Sequence, residues 1–245
     1  VTRGRRRAAL RARLERIAPL VRAVRLVRAM ATPLGRGRLE ALWHGARLYQ
    51  PATVTRPDRH PALFAYVAAL LGDRADVRLL SFGCSTGEEP LTLACYLPHA
   101  RIDAIDANPA CIARAKRSAR ADAPTIRFAC ADRPDAFAGT RYDAVFCLSV
   151  LRHGDLEAKR PPTCTDLLPF ARFAEAVDAL DRCLGPGGLL VLWGCNFRFA
   201  DSPVAAGYRA LTVPGQNAQP GPFYGPDDQL LPIAESSAFL FVKAG

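Results

Sequence analysis

From residue 77 onward the chain alternates between two kinds of segment. Short apolar runs at 77–82, 101–105, 125–130, 142–148 and 189–193 are separated by helical stretches, and a last run, Ala-Phe-Leu-Phe-Val-Lys, occupies 238–243. Strands that alternate with helices predict a mostly parallel sheet covered by helices on both faces. The chain has 245 residues, half of them apolar, which allows one large α/β domain with a buried core and a small appendage. We place the boundary at residue 72: residues 1–72 read as a basic helical extension and cap, and 73–245 as the main domain.

Charge separates these two parts. The net charge is +10, yet residues 1–30 alone hold ten arginines against the single acid Glu15, which leaves the rest of the chain nearly neutral. Within that segment Leu10, Leu14, Ile17, Val21 and Val24 recur at helical spacing, and Pro19 interrupts the pattern. One reading is a patch for nucleic acid or an anionic membrane surface; the other is a helix docked by its apolar stripe, with its arginines solvated. A second helical pattern runs from Arg36 to Gln50, and after a turn-rich link Pro61 suits the first turn of a helix ending near Gly72. Apolar runs such as 68–71 and 189–193 fall far short of the roughly 20 residues that span a bilayer, so no transmembrane segment is expected.

Eight cysteines, at 84, 95, 111, 130, 147, 164, 183 and 195, are spread evenly, with no Cys-x-x-Cys pair and no histidine at zinc-site spacing. They read as reduced structural thiols of a cytoplasmic protein, with no metal site. Residues 194–237 carry six prolines and several glycines, which excludes a long helix and reads as a lid or binding loop, with one strand near Tyr208–Val213.

The chemistry concentrates in four places. First, Leu79–Ala94 joins an apolar run to Gly83-Cys84-Ser85-Thr86-Gly87 and then to a helix starting near Glu88. Glycines there let backbone approach a ligand, and the glutamates that follow disfavour a pyrophosphate while suiting a cofactor with a cationic, zwitterionic end. A tight turn with no ligand is the alternative. Second, Asp106 lies nineteen residues after Gly87, at the tip of the second strand, where a carboxylate can accept both ribose hydroxyls. Ala107 follows it, and Asn108-Pro109 opens a helix, with Asn as cap. Third, Asp132 ends the run Ile126–Asp132, placed to accept an adenine amine or to cap a helix. Fourth, Tyr142–Gly154 leads past Leu148 and Ser149 to His153 at the edge of the same crevice.

The order GCSTG, IDANP, ACAD, YDAVFC and LGPGGLLVL resembles the class I S-adenosylmethionine-dependent methyltransferases over about residues 77–245. The resemblance implies a Rossmann-like, doubly wound, mostly parallel seven-stranded sheet with an antiparallel last strand at 238–243. It also implies S-adenosylmethionine as cofactor: the glycine loop and Glu88 at its methionine end, Asp106 with Ala107 and Asn108 at the ribose, Asp132 at the adenine, and Leu148 at the fourth strand tip. Within the class, GCSTGEEP is most similar to the chemotaxis-receptor glutamate O-methyltransferases, and Thr55-Arg56 with His60-Pro61 resembles the stretch before their first strand. The chain departs from that subfamily at Leu148-Ser149, where Arg-Asn is expected, and lacks the aromatic pair before Arg56.

Methyl transfer from a sulfonium is an in-line displacement, so the protein mainly aligns the partners and excludes water. His153 is the candidate base, with a polar loop residue or helix start as its alternative role. Arg56 and Arg198 are candidates to orient an acidic acceptor. The expectation is a methyltransferase acting on an oxygen or nitrogen of a small-molecule or protein acceptor. The alternatives are a non-catalytic nucleoside-binding or scaffold protein whose Arg-rich helix holds RNA or a membrane, and a nicotinamide dehydrogenase, which the missing third-glycine spacing disfavours.

Overall fold

The computed structural model describes residues 48–50, 53, 55–72, 74, 76–119, 126–137 and 139–245. The Arg-rich segment and most of the expected Arg36–Gln50 helix lie outside the described residues. The described elements are α1 (Pro61–Leu71), β1 (Arg78–Phe82), α2 (Glu88–Tyr96), β2 (Arg101–Asp106), α3 (Pro109–Ser118), β3 (Ile126–Cys130), β4 (Tyr142–Leu148), α4 (Gly154–Lys159), α5 (Phe170–Cys183), β5 (Leu184–Trp193), β6 (Tyr208–Leu211), β7 (Gln219–Pro220), β8 (Glu235–Ser236) and β9 (Leu240–Lys243).

Seven strands form one sheet in the order β3-β2-β1-β4-β5-β9-β6. β1 to β5 run parallel, and β9 is antiparallel to both β5 and β6. This is the doubly wound, mostly parallel sheet expected from the alternation, with the last strand reversed.

Strands buried on both faces need apolar side chains in both directions, which is why β1, β4 and β5 read as continuous apolar runs. On β4, Ala144, Phe146 and Leu148 pack with α1 and α2 through Leu63, Phe64, Val67 and Leu93. Val145 and Cys147 pack on the other side with Leu156 of α4 and Phe173, Val177 and Leu180 of α5. α1 is therefore part of the wall of the sheet. Its start agrees with the expected proline in the first turn, and it ends at Gly72.

An ion pair between a buried Asp103 and an exposed Arg127 fastens the far strands. Asp103 of β2 accepts from Arg127 Nε and Nη2 of β3, both at 2.7 Å, and from the Tyr142 hydroxyl of β4 at 2.9 Å. Burial and the neighbouring Asp103 carboxylate raise the Tyr142 phenol above its usual range.

The Pro-rich segment 194–237 is not a lid. Phe197, Phe223 and Tyr224 are fully buried, and Phe197 packs edge-on against Phe170 and tilted against Phe173 of α5, at 5.5 and 5.1 Å. Two buried amides hold its backbone. Asn196 Nδ2 donates to Pro222 O at 3.1 Å, and Gln219 Oε1 accepts from Gly194 N–H at 2.6 Å. Aromatic side chains with this much area to bury pull the segment onto the core despite its prolines. The strand expected near 208–213 is β6, and β7 pairs with β8 in a separate two-stranded sheet.

Candidate active site

The polypeptide leaves β1 toward β2 on one side and β4 lies on the other, so a crevice opens at the carboxyl ends of β1 and β4. A cavity of about 810 Å³, counting its open mouth, occupies that place. Of the residues selected from sequence, Gly83, Cys84, Ser85, Asp106, Ala107, Asn108, Asp132 and Leu148 line it.

The glycine loop is built for close approach. Gly83 and Cys84 both donate backbone N–H to Ile105 O, at 2.8 and 2.9 Å, which binds the loop to the tip of β2. Gly83 has φ +76°, and a Cβ on it would stand 2.3 Å from Val150 Cγ2. Only glycine fits there. The Asp106 carboxylate is oriented at both oxygens: Ser85 N–H donates to Oδ2 and Asn108 N–H to Oδ1, each at 2.8 Å. Asn108 in turn caps α3, as expected, its Oδ1 accepting from Ala110 and Cys111 N–H.

Three selected loop residues stand outside the cavity lining. Thr86 donates its hydroxyl to Glu88 Oε2 at 2.6 Å, and Gly87 supplies the left-handed turn that starts α2. The next residue, Glu89, is the one that turns inward. It is buried, lines the cavity and accepts from the Ser81 hydroxyl at 2.8 Å. Burial lifts its carboxyl to about 7, against the Arg59 charge and the Ser81 hydrogen bond, which both pull it down.

A strap that includes the described residues 48–50, 53 and 55–59 closes the other side. Its Leu48, Tyr49, Gln50, Thr53, Thr55 and Arg59 line the cavity. Ser85 Oγ donates to Thr53 O at 3.2 Å, and Arg59 Nη2 donates to Leu148 O at 2.8 Å, so the strap is tied to both the glycine loop and the tip of β4. Tyr49 lies under the Arg172 guanidinium at 4.3 Å and edge-on to Phe82 at 6.4 Å.

Both proposed catalytic residues require correction. Arg56 is exposed and outside the cavity lining; Arg59 enters instead, because Asp58 takes a left-handed φ of 46° and redirects the chain. Asp58 is held there by Thr92 Oγ1, which accepts its N–H, and by the Tyr96 hydroxyl, which donates to its carboxylate, both at 3.1 Å. His153 is also outside the lining and caps α4, its Nδ1 accepting Asp155 N–H at 3.2 Å. Burial holds its pKa below the usual value, opposed by Asp155 and reinforced by Lys159 and Arg172. Its Nδ1 is thus engaged in the helix cap. Arg198 is likewise paired within its own loop, with Asp201 at 2.8 and 2.6 Å.

Among the described residues no cluster of His, Cys, Asp or Glu could hold a metal, and no helix is long and apolar enough to cross a membrane. Comparison with solved structures finds a sugar N-methyltransferase from a Streptoalloteichus species, 29% identical, TM-score 0.37, over 54% of this chain and 48% of that one. It also finds an amino pentose methyltransferase from Micromonospora echinaspora, solved with S-adenosylmethionine bound and involved in calicheamicin biosynthesis, 28% identical, TM-score 0.40, over 64% and 58%. The chain spans about half the length of the solved structures it matches. No curated protein matches it. Residues 79–188 match the family model of a methyltransferase domain, and that stretch holds every wall of the cavity other than the strap.

Proposed function

We propose that this protein is an S-adenosylmethionine-dependent methyltransferase that methylates an oxygen or nitrogen of a small-molecule or protein acceptor. The observation that carries this reading is the clasped Asp106 carboxylate, standing in one cavity with the glycine loop, Asp132, Glu89 and Arg59. A carboxylate held by backbone donors at both oxygens is oriented to accept from ribose hydroxyls. Asp132 is the acceptor for an adenine amine. Glu89 and Arg59 offer opposite charges for the zwitterionic methionine end, a pairing a pyrophosphate could not use.

When bound, the cofactor supplies a sulfonium methyl group, which an acceptor lone pair takes in line as the sulfur keeps the bonding electrons. The protein's part is placement. The strap and Val150 wall off the crevice, Arg59 stiffens the tip of β4 through Leu148 O, and the left-handed Ser149, at φ 61°, stands beyond it. We infer a relation to the chemotaxis-receptor methyltransferases within the class, supported by the GCSTGEEP loop and by a preceding segment that reaches the cavity. The eight free thiols, six of them buried, support a reducing, cytoplasmic setting.

Calorimetry with S-adenosylhomocysteine tests the reading. The folded protein is expected to bind it, and Asp106→Ala to weaken binding at least tenfold. Absence of binding, or equal binding by the variant, would overturn it.

A further inference from the structure

Beyond the cofactor walls, at the carboxyl ends of β4 and β5, a second charged group stands that the reading above does not use. Ser149 donates its N–H to Trp193 O at 2.6 Å, which draws the two strand tips together. At the next residue, Gly194, a Cβ would meet Ser149 Oγ at 2.7 Å and Arg152 Nη1 at 3.1 Å. The Ser149 hydroxyl and the Arg152 guanidinium therefore converge on one bare patch of backbone, and Ser149 also lines the cavity.

The Arg152 guanidinium is incompletely satisfied. Its Nη2 pairs with Glu157, but its Nε is buried and has no hydrogen-bond partner among the described residues. Burial and the nearby Arg59 charge both act against its cationic form, and the Glu157 carboxylate acts for it. An Arg152 N–H without an acceptor, at an edge that also holds Arg59, is an unmet demand for a hydrogen-bond acceptor. The carboxylate of Glu157 answers part of it from one side.

We propose that this edge is the acceptor subsite, and that the acceptor is a small acid whose carboxylate is seated by Arg152 and the Ser149 hydroxyl. This rests on the methyltransferase reading for the identity of the reaction, but the anion subsite itself can be tested without turnover. The carboxylate acts as an anchor. It fixes one end of the acceptor so that an oxygen or nitrogen elsewhere on the molecule faces the cavity past Leu148 and Ser149. A planar, two-pronged cation suits that task better than an ammonium.

The test uses acetate as probe and acetamide as its uncharged match, on the full chain saturated with S-adenosylhomocysteine and again on the chain alone. The readout is the Arg152 Nε–H resonance, assigned by its loss in Arg152→Lys. Acetate is expected to shift it saturably and acetamide to leave it unmoved. Glu157→Gln, which removes the competing carboxylate, is expected to tighten acetate at least threefold, a gain that a purely structural Arg152–Glu157 pair would not give. Equal titrations by acid and amide, no shift with either, or unchanged affinity in Glu157→Gln would overturn the subsite. Failure of S-adenosylhomocysteine to bind would instead count against the cofactor assignment, while the titration of the chain alone still decides the anion site.

Discussion

The Ser81 hydroxyl, at the end of β1, donates to Glu89 Oε1 in the first turn of α2, at 2.8 Å. That contact aims a buried carboxylate, titrating at about 7, into the proposed methionine end of the cavity. A cofactor ammonium would pair with the carboxylate and not with the acid. Below pH 7, binding must therefore expel a proton, and affinity falls by up to about tenfold per pH unit. We expect S-adenosylhomocysteine affinity measured by calorimetry to rise from pH 5.5 to 7.5 and then level. Glu89→Gln should bind weakly, with a flat profile over the same range.

The same carboxylate works against the fold. Its folded pKa is raised, so the folded chain holds the proton more tightly, and the stability this gives is present below the ordinary pKa near 4.5 and lost as pH rises through about 7. A shift of this size corresponds to about 3 kcal/mol at most. Glu89→Gln should thus raise the urea midpoint at pH 8 and leave it nearly unchanged at pH 4.5. Gain of stability with loss of binding would mark Glu89 as retained for its ligand.

Gly83 carries two separable constraints, its φ of +76° and the 2.3 Å approach of Val150 Cγ2. Gly83→Ala violates both and should cost about 2–4 kcal/mol by urea unfolding, with loss of cofactor affinity. Adding Val150→Ala relieves the collision but not the dihedral. The double variant should recover part of the loss, leaving about 1–2 kcal/mol.

His153 caps α4 through Nδ1, a task that an asparagine side chain performs equally well. We expect His153→Asn to keep both stability and kcat within a factor of about three of the parent, once an acceptor is in hand, and His153→Ala to cost about 1 kcal/mol of stability. A loss of kcat by orders of magnitude in His153→Asn, with the fold intact, would restore the imidazole to the chemistry.

The doubly buried strands were readable because their surroundings leave no choice of side chain: Leu79 and Leu80 face opposite layers of the core, so both must be apolar. The glycine loop, Asp106 and Asn108 were legible for a similar reason, since each answers a local backbone demand. What escaped depended on rotation and reach. Glu88 and Glu89 are indistinguishable as letters, but adjacent helical positions differ by about 100°, and that turn sends one to the surface loop and the other into the cavity. Arg56 and Arg59 flank a Pro-Asp turn whose left-handed Asp58 is set by Thr92 and Tyr96, more than thirty residues away. The prolines of 194–237 signalled irregular backbone correctly, and the buried aromatics between them signalled packing that the prolines obscured.

In the order β5-β9-β6, the strand made last in sequence fills the gap between two made earlier. During synthesis β6 therefore emerges with no neighbour to receive it, because the slot beside β5 belongs to residues 240–243. The growing chain must keep β6, and the apolar edge of β5, exposed until those residues leave the ribosome. Completion of this sheet is a late, long-range event, and a nascent chain stalled before residue 240 would present two open strand edges to aggregation.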